Sequence, residues 1–246
     1  MGRLTGKAAV ITGGAKGLGL EFARALIAEG AGVLVVDIAD GADAEQAGAH
    51  FMHADITGEG AAERIADAAM DAFGQVDILI NNAALYAGLP MARYDRIEPD
   101  LWDEVMRVNI GGTWRMIRAI GPLMEKRRRG KIVNITSGTV MKGMPGMAHY
   151  VASKGALAAL TRTLSREMGG NGVCVNSLAP GLTLSSSILE NAAHIEATRD
   201  RVLASRAIKR DGQPADLIGA LLFLCSDDSD FVTGQTIAVD GGSVNT

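Results

Sequence analysis

Tyr150 and Lys154 stand four positions apart, and on a helix that spacing puts both side chains on one face. A phenol ordinarily titrates near 10, so bringing it to about 7 takes roughly 4 kcal/mol of preferential stabilisation of the phenolate. One ammonium about 4 Å away supplies roughly 4 kcal/mol at an effective dielectric of about 20. Lys154 is therefore expected to lower the Tyr150 pKa and make it a general base poised near neutral pH. Ser137 ends a predicted strand 13 positions before Tyr150, and Asn109 lies within a predicted helix. Taken singly, either would read as a cap or turn residue.

A second constellation lies near the N-terminus. Thr12-Gly13-Gly14-Ala15-Lys16-Gly17-Leu18-Gly19 follows a β-branched run and opens a helical pattern. Such a turn brings backbone N–H groups and the positive end of a helix to a pyrophosphate. Glycine-rich turns are also ordinary connectors, so position matters. Asp37, 18 residues past Gly19, ends the second predicted strand, where a dinucleotide fold places the acid that accepts hydrogen bonds from the adenosine ribose. Its charge repels a 2′-phosphate. Lys16 pulls the other way, but Ile38, Ala39 and Asp40 supply no Arg, so NAD is expected in preference to NADP.

The elements that must position these residues alternate regularly. Strands are predicted at Ala8–Thr12, Gly32–Asp37, His50–Asp55, Val76–Asn81, Lys131–Thr136, Val173–Leu178 and Thr236–Val239. Helices are predicted at Leu18–Glu29, Gly60–Phe73, Pro99–Lys126, Tyr150–Met168 and Pro214–Cys225. Alternation of this kind predicts an α/β fold, a Rossmann-type doubly wound seven-stranded parallel sheet with helices on both faces. Ligands bind at the carboxyl ends of such strands, where the glycine turn, Asp37, Asp55, Asn81, Ser137 and Pro180 all fall. One long irregular stretch, from Pro180 to about Arg210, is expected to cover the substrate.

Composition narrows the class. The 246 residues are 48% hydrophobic and only 4% aromatic, with a net charge of -4. That suits one domain with a buried parallel sheet and gives no electrostatic footprint for nucleic acid. The basic run Lys126 to Arg129 reads as a solvated helix end. Cys174 and Cys225 sit in apolar segments and suggest neither a disulfide framework nor a zinc site. No metal is expected. Met1 to Lys7 lacks a signal-peptide layout and no apolar stretch is long enough for a bilayer, so a cytoplasmic location with no membrane association is expected.

Together these residues resemble the short-chain dehydrogenase/reductase family, in its single-domain branch of roughly 250 residues. Thr-Gly-x-x-x-Gly-x-Gly at Thr12 to Gly19 has the family's own spacing. Asn81-Asn82-Ala83 matches its Asn-Asn-Ala-Gly element, with Ala84 in place of the last glycine. Asn109, Ser137, Tyr150 and Lys154 fit its catalytic tetrad. Asp55-Ile56, Pro180-Gly181 and Gly234 to Gly242 resemble further landmarks. The resemblance implies an oxidoreductase that interconverts an alcohol and a carbonyl. It also implies that Gly13, Lys16, Gly17, Leu18, Gly19, Asp37, Asp55, Ile56, Asn82, Ala83, Tyr150, Lys154, Pro180, Gly181 and Thr183 bind the cofactor.

The same resemblance implies the roles. Tyr150 exchanges the proton, Ser137 donates to the substrate oxygen, and Lys154 also binds the nicotinamide ribose. Asn109 holds a helix irregularity and a water in a proton path. A homotetramer is implied, built partly through the helices bearing Asn109 and Tyr150. His149 is expected at the rim or as a cap, and nothing fixes a role for His194. Met141, Met144 and Met147, with Leu85, Tyr86 and Leu182 to Ile188, suggest a hydrophobic or aromatic secondary alcohol or its ketone. Two rival readings are a 3-oxoacyl-carrier-protein reductase, docking an acidic partner on Arg127 to Arg129, and a scaffold that senses NAD without turnover.

Overall fold

A computed structural model describes residues 2–190 and 192–244, without the side chains of 192–194 and 197. His194 therefore lies outside the described side chains. Seven parallel strands form one sheet: β1 (Ala8–Thr12), β2 (Gly32–Asp37), β3 (His50–His53), β4 (Ile78–Asn81), β5 (Gly130–Ile135), β6 (Val173–Pro180) and β7 (Thr236–Val239). Their order is β3-β2-β1-β4-β5-β6-β7. The winding reverses between β1 and β4, where Thr12 pairs with Asn81, and a crevice opens at that switch point.

Every residue of β1, β4 and β5 is buried, which explains why these strands are mostly apolar without alternation, the buried Asn81 and Asn134 being joined by a hydrogen bond of 2.8 Å. Two apolar layers cover the sheet. On one face lie α1 (Gly17–Ala28) and α10 (Ala215–Cys225), through Phe22, Leu26, Leu217 and Leu221. On the other lie α3 (Ala61–Phe73) and α5 (Thr113–Lys126), through Ile65, Met116, Ile120 and Met124, while α7 (Ala148–Met168) packs along β6. Each fully buried Leu, Ile or Phe contributes about 1.5–3 kcal/mol relative to exposure, so the sheet is a stiff platform for the loops at its carboxyl edge.

The structure differs from the sequence reading at several places. The expected helix Pro99–Lys126 is three pieces: α4 (Pro99–Met106), opened by a proline whose missing N–H costs nothing at a first turn, a π-helical turn at Arg107–Gly112, and α5. Short helices α2 (Ala42–Gln46) and α6 (Thr139–Lys142) were not expected. The expected irregular stretch after Pro180 holds α8 (Ser186–Leu189) and α9 (Ala192–Ser205). Asp55 lies beyond β3, in a turn where its carboxylate accepts from the Thr57 N–H at 2.8 Å.

The basic run Lys126 to Arg129 is the exposed end of α5, as expected, and two of its guanidinium groups are paired. Arg127 pairs with Asp77 at 3.0 Å and Arg129 with Asp227 at 2.7 Å. Among the described residues, no helix is long and apolar enough to cross a membrane.

Candidate active site

The glycine turn is built by close packing. Gly13 has φ +66, and a side chain there would come within 2.6 Å of the Ala83 Cα. Only a residue without Cβ lets β1 and the loop after β4 approach this closely. Gly19 is tighter still, because an added Cβ would sit 2.1 Å from the Gly13 carbonyl. Asn82 braces the turn, its amide donating to the Gly13 carbonyl at 2.6 Å and the Thr12 carbonyl at 3.1 Å.

Asp37 ends β2 beside this turn. One carboxylate oxygen accepts from the Ala15 N–H at 2.9 Å and the other from the Ala39 N–H at 3.0 Å. The charge is thus fixed at the crevice, with lone pairs left for a further donor. Lys16, which offered a cation near the same place, forms an ion pair with Glu190 at 2.8 Å instead. The Gly17 N–H donates to the Ser186 hydroxyl at 3.1 Å, so α8 lies directly against the helix opening. Asp55 is held below the usual carboxylate range, first by the Thr57 N–H, against an opposing effect of burial.

Across the crevice, Ser137 follows β5 and Tyr150 and Lys154 project from α7. The Ser137 Oγ accepts from the Thr139 hydroxyl at 2.9 Å, and the Gly138 N–H donates to the Pro180 carbonyl at 2.9 Å. Lys154, 3% exposed, donates to the Ile135 carbonyl at 2.7 Å and lies 5.9 Å from the Tyr150 ring centroid. Burial pulls its pKa down to about 8. Burial also pushes the Tyr150 phenol far above its ordinary value, Tyr86 adds to the rise, and a hydrogen bond with Ser137 opposes it. The expected fall toward 7 is therefore not what the protein alone produces. Desolvation outweighs the lysine, whose ammonium is turned to a backbone carbonyl.

Asn109 is fully buried in the π-helical turn, behind the cavity rather than on its wall. Its Oδ1 accepts from the Leu85 N–H at 2.8 Å, and its amide donates to the Ser153 hydroxyl at 3.0 Å. Ser153 in turn donates to the Tyr150 carbonyl at 2.7 Å. The expected helix irregularity is present, and it ties the Leu85 loop to the first turns of α7. His149 corrects an expectation: it is fully buried, not at the rim, and neither ring nitrogen has a hydrogen-bond partner among the described residues. The spacing of His149, Ser153, Leu157 and Thr161, all buried on α7, could have revealed this.

One cavity of about 940 Å³ joins both halves. Of the expected residues, Gly13, Lys16, Leu18, Asp37, Asp55, Ile56, Asn82, Ala83, Ser137, Tyr150, Lys154, Pro180, Gly181 and Thr183 line it. Gly17 and Gly19 support it from within the turn. Leu85, Tyr86, Met144 and Leu182 lie on its wall. Met147 instead packs in the core, and Met141 lines a separate cavity of about 350 Å³. The sequence reading missed Lys142, Arg201 and Ser205, which also line the large cavity. Among the described residues no group of His, Cys, Asp or Glu is placed to hold a metal.

The family model described as Enoyl-(Acyl carrier protein) reductase matches residues 13–244. A 3-oxoacyl-[acyl-carrier-protein] reductase of Thermotoga maritima is 32% identical over 250 residues, covering 98% of this chain and 99% of the relative. A 3-alpha-(or 20-beta)-hydroxysteroid dehydrogenase of Mycobacterium tuberculosis is 34% identical over 251 residues, covering 99% and 91%. Among solved structures, a short chain dehydrogenase/reductase family protein superposes with a TM-score of 0.86 at 38% identity, with 98% of each chain covered.

Proposed function

This chain belongs to the short-chain dehydrogenase/reductase family, and from that premise we propose that it is an NAD(H)-dependent oxidoreductase interconverting a hydrophobic secondary alcohol and its ketone. One observation carries the reading: a single cavity is lined both by the glycine turn with Asp37 and by Ser137, Tyr150 and Lys154. The residues present fit a dinucleotide, because the turn at Gly13 and Gly19 leaves no room for side chains and Asp37 presents a fixed carboxylate. Asp37, without a neighbouring Arg, favours NAD over NADP. A relative that acts on hydroxysteroids supports an apolar substrate.

Bound NAD(H) supplies the hydride acceptor or donor. Ser137 and Tyr150 hold the substrate oxygen. In reduction, the Tyr150 hydroxyl gives its proton to that oxygen as negative charge develops on it, and Ser137 donates a hydrogen bond that strengthens at the same moment. A phenol kept protonated by burial is ready for this direction. In oxidation the same oxygen must take the proton back, and the Lys154 charge stabilises the phenolate that does so. The Lys154 N–H groups not committed to Ile135 are available to ribose hydroxyls. Asn109, through Ser153, holds the opening turns of α7 in place.

Tyr150→Phe is the direct test. Turnover followed as NADH absorbance should fall by about 10²–10⁴-fold, the usual contribution of an acid/base group, with the dissociation constant for NADH unchanged. Retained turnover would overturn the enzyme reading. A protein that binds NADH but turns over no member of an alcohol and ketone panel would support the sensing alternative. Docking of an acyl carrier on Arg127 to Arg129 is disfavoured, since Arg127 and Arg129 are paired with Asp77 and Asp227. Exposed Trp102 on α4 and Trp114 on α5 support a homotetramer assembled through this face, which light scattering on the eluted protein would test.

A further inference from the structure

We propose that the substrate carries a carboxylate, received by Lys142 and Arg201 at the end of the cavity away from the dinucleotide; this rests on the oxidoreductase reading above. The carboxylates of the large cavity's wall are confined to one side, where Lys16 and Arg107 accompany them. These carboxylates, Asp37, Asp55 and Glu104, all lie on the dinucleotide side, with Glu104 tied to Arg107 at 2.8 Å. Past Ser137 the charged wall residues besides Lys154 are Lys142, from α6, and Arg201, from α9. Neither forms an ion pair among the described residues.

Lys142 instead donates to the Ser243 hydroxyl at 2.5 Å, and Ser243 shares a 2.5 Å hydrogen bond with Ser205. This chain of hydroxyls joins α6, the C-terminal segment and α9 across the cavity end, and leaves the ammonium further N–H groups to donate. Burial lowers the Lys142 pKa, and Arg201 and Arg206 act in the same direction. Asp240 opposes them from behind the wall. One of its oxygens accepts from the Gly242 and Ser243 N–H groups at 3.0 Å, and the other is buried without a hydrogen-bond partner among the described residues. The cavity end is thus cationic, with Lys142 and Arg201 both exposed toward it, which favours an anionic oxygen group there.

The walls leading to it are apolar, with Leu85, Tyr86, Met144 and Val202. They suit a carboxylate on an apolar body better than a phosphodiester on a polar, flexible arm. The reaction is then a keto acid, NADH and a proton giving a hydroxy acid and NAD. The hydride goes to the carbonyl carbon and the Tyr150 proton to its oxygen.

The probes are 5-oxo-5-phenylpentanoate and its methyl ester, each reduced with NADH. The wild type should favour the acid over the ester in kcat/KM by at least about tenfold, the scale of a hydrogen bond to a charged group, and added salt should shrink that ratio. Lys142→Gln and Arg201→Gln should each lower the ratio about tenfold, Arg201→Lys should restore part of it, and NADH affinity should stay constant. A wild type without preference, or substitutions that lower both substrates equally, would overturn the proposal while the oxidoreductase reading stands. Preference for an acetoacetyl-phosphopantetheine thioester over the keto acid would overturn it too. Should neither probe be reduced, the oxidoreductase reading loses support, and calorimetry of the acid against the NADH complex decides this one. Binding weakened by both Gln substitutions supports it, and no binding refutes it.

Discussion

The rings of Tyr86 and Tyr150 lie 4.6 Å apart at the centroids, tilted by 34°. Tyr86 sits in the loop that Asn109 anchors through Leu85, and burial pushes its own pKa up to about 12. It shields one side of the reacting phenol from water. An aromatic pair of this kind is worth about 0.5–1.5 kcal/mol, so Tyr86→Ala should lower kcat/KM by up to about tenfold. It should also move the acidic limb of the oxidation profile to lower pH, because water readmitted around Tyr150 eases ionisation. Tyr86→Phe keeps the ring and should leave the profile in place. Profiles that coincide for all three proteins would contradict the shielding role.

Asp37 offers a second handle. Its two oxygens already accept from Ala15 and Ala39, so the carboxylate is rigid before any ribose meets it. Asp37→Ser removes a charged acceptor, a loss of about 1.5–3 kcal/mol, and also removes the repulsion toward a 2′-phosphate. The ratio of kcat/KM with NADPH to that with NADH should rise by at least about tenfold. An unchanged ratio would show that this carboxylate does not set the preference.

Gly19 and Gly219 make a matched pair, both helical and both without Cβ. A methyl group at Gly19 meets the Gly13 carbonyl and the Gly14 Cα at 2.1 and 2.8 Å, whereas one at Gly219 meets nothing within 4 Å. Gly19→Ala should weaken NADH binding at least tenfold and lower stability by about 1–3 kcal/mol, the cost of overpacking. Gly219→Ala should raise stability by up to about 1 kcal/mol through helix propensity. Fluorescence titration with NADH and thermal melts of the two variants would separate these outcomes.

Lys154 predicts a pH dependence of stability. Its folded pKa is lowered by burial to about 8 from the ordinary 10.5, so the unfolded chain binds the proton more tightly between those values. Stability from this group therefore rises as pH increases through that window. The melting temperature of the wild type should rise relative to Lys154→Met between about pH 8 and 10. Above about 10 the Tyr150 phenol, raised in the folded state, ionises first in the unfolded chain, and stability falls. Parallel curves for wild type and Lys154→Met would refute the shift.

Much of the sheet and both motif clusters could be read directly, because buried parallel strands leave mostly apolar runs and the glycine turn and Tyr-x-x-x-Lys are local patterns. The π-helical turn at Asn109 left no trace in the periodicity and was implied by the family resemblance alone. Helical periodicity runs on from Pro99 to Lys126, and one extra residue in a turn leaves no compositional mark. Helix α9 was missed because Glu196, Arg199, Asp200 and Arg201 blur its apolar face. The pairing of Lys142 with Arg201 at one cavity end depends on how α9 folds over the sheet, which no spacing in the chain encodes. The upward displacement of the Tyr150 pKa could not be foreseen from residue types either, since it follows from how completely α7 is buried.

Arg206 governs how the wall formed by α8 and α9 can behave. Its guanidinium, 3% exposed, donates to the backbone carbonyls of Leu182, Arg210 and Asp240. Three separate strands of chain are riveted by one planar group, just after the last turn of α9. Among the described residues, the opposite end meets the glycine turn through the Lys16 to Glu190 pair and the Ser186 hydroxyl. One buried guanidinium thus pins the C-terminal end of α9 to the loop after β6 and to the C-terminal segment at once, so Arg206→Ala would loosen three stretches of chain together.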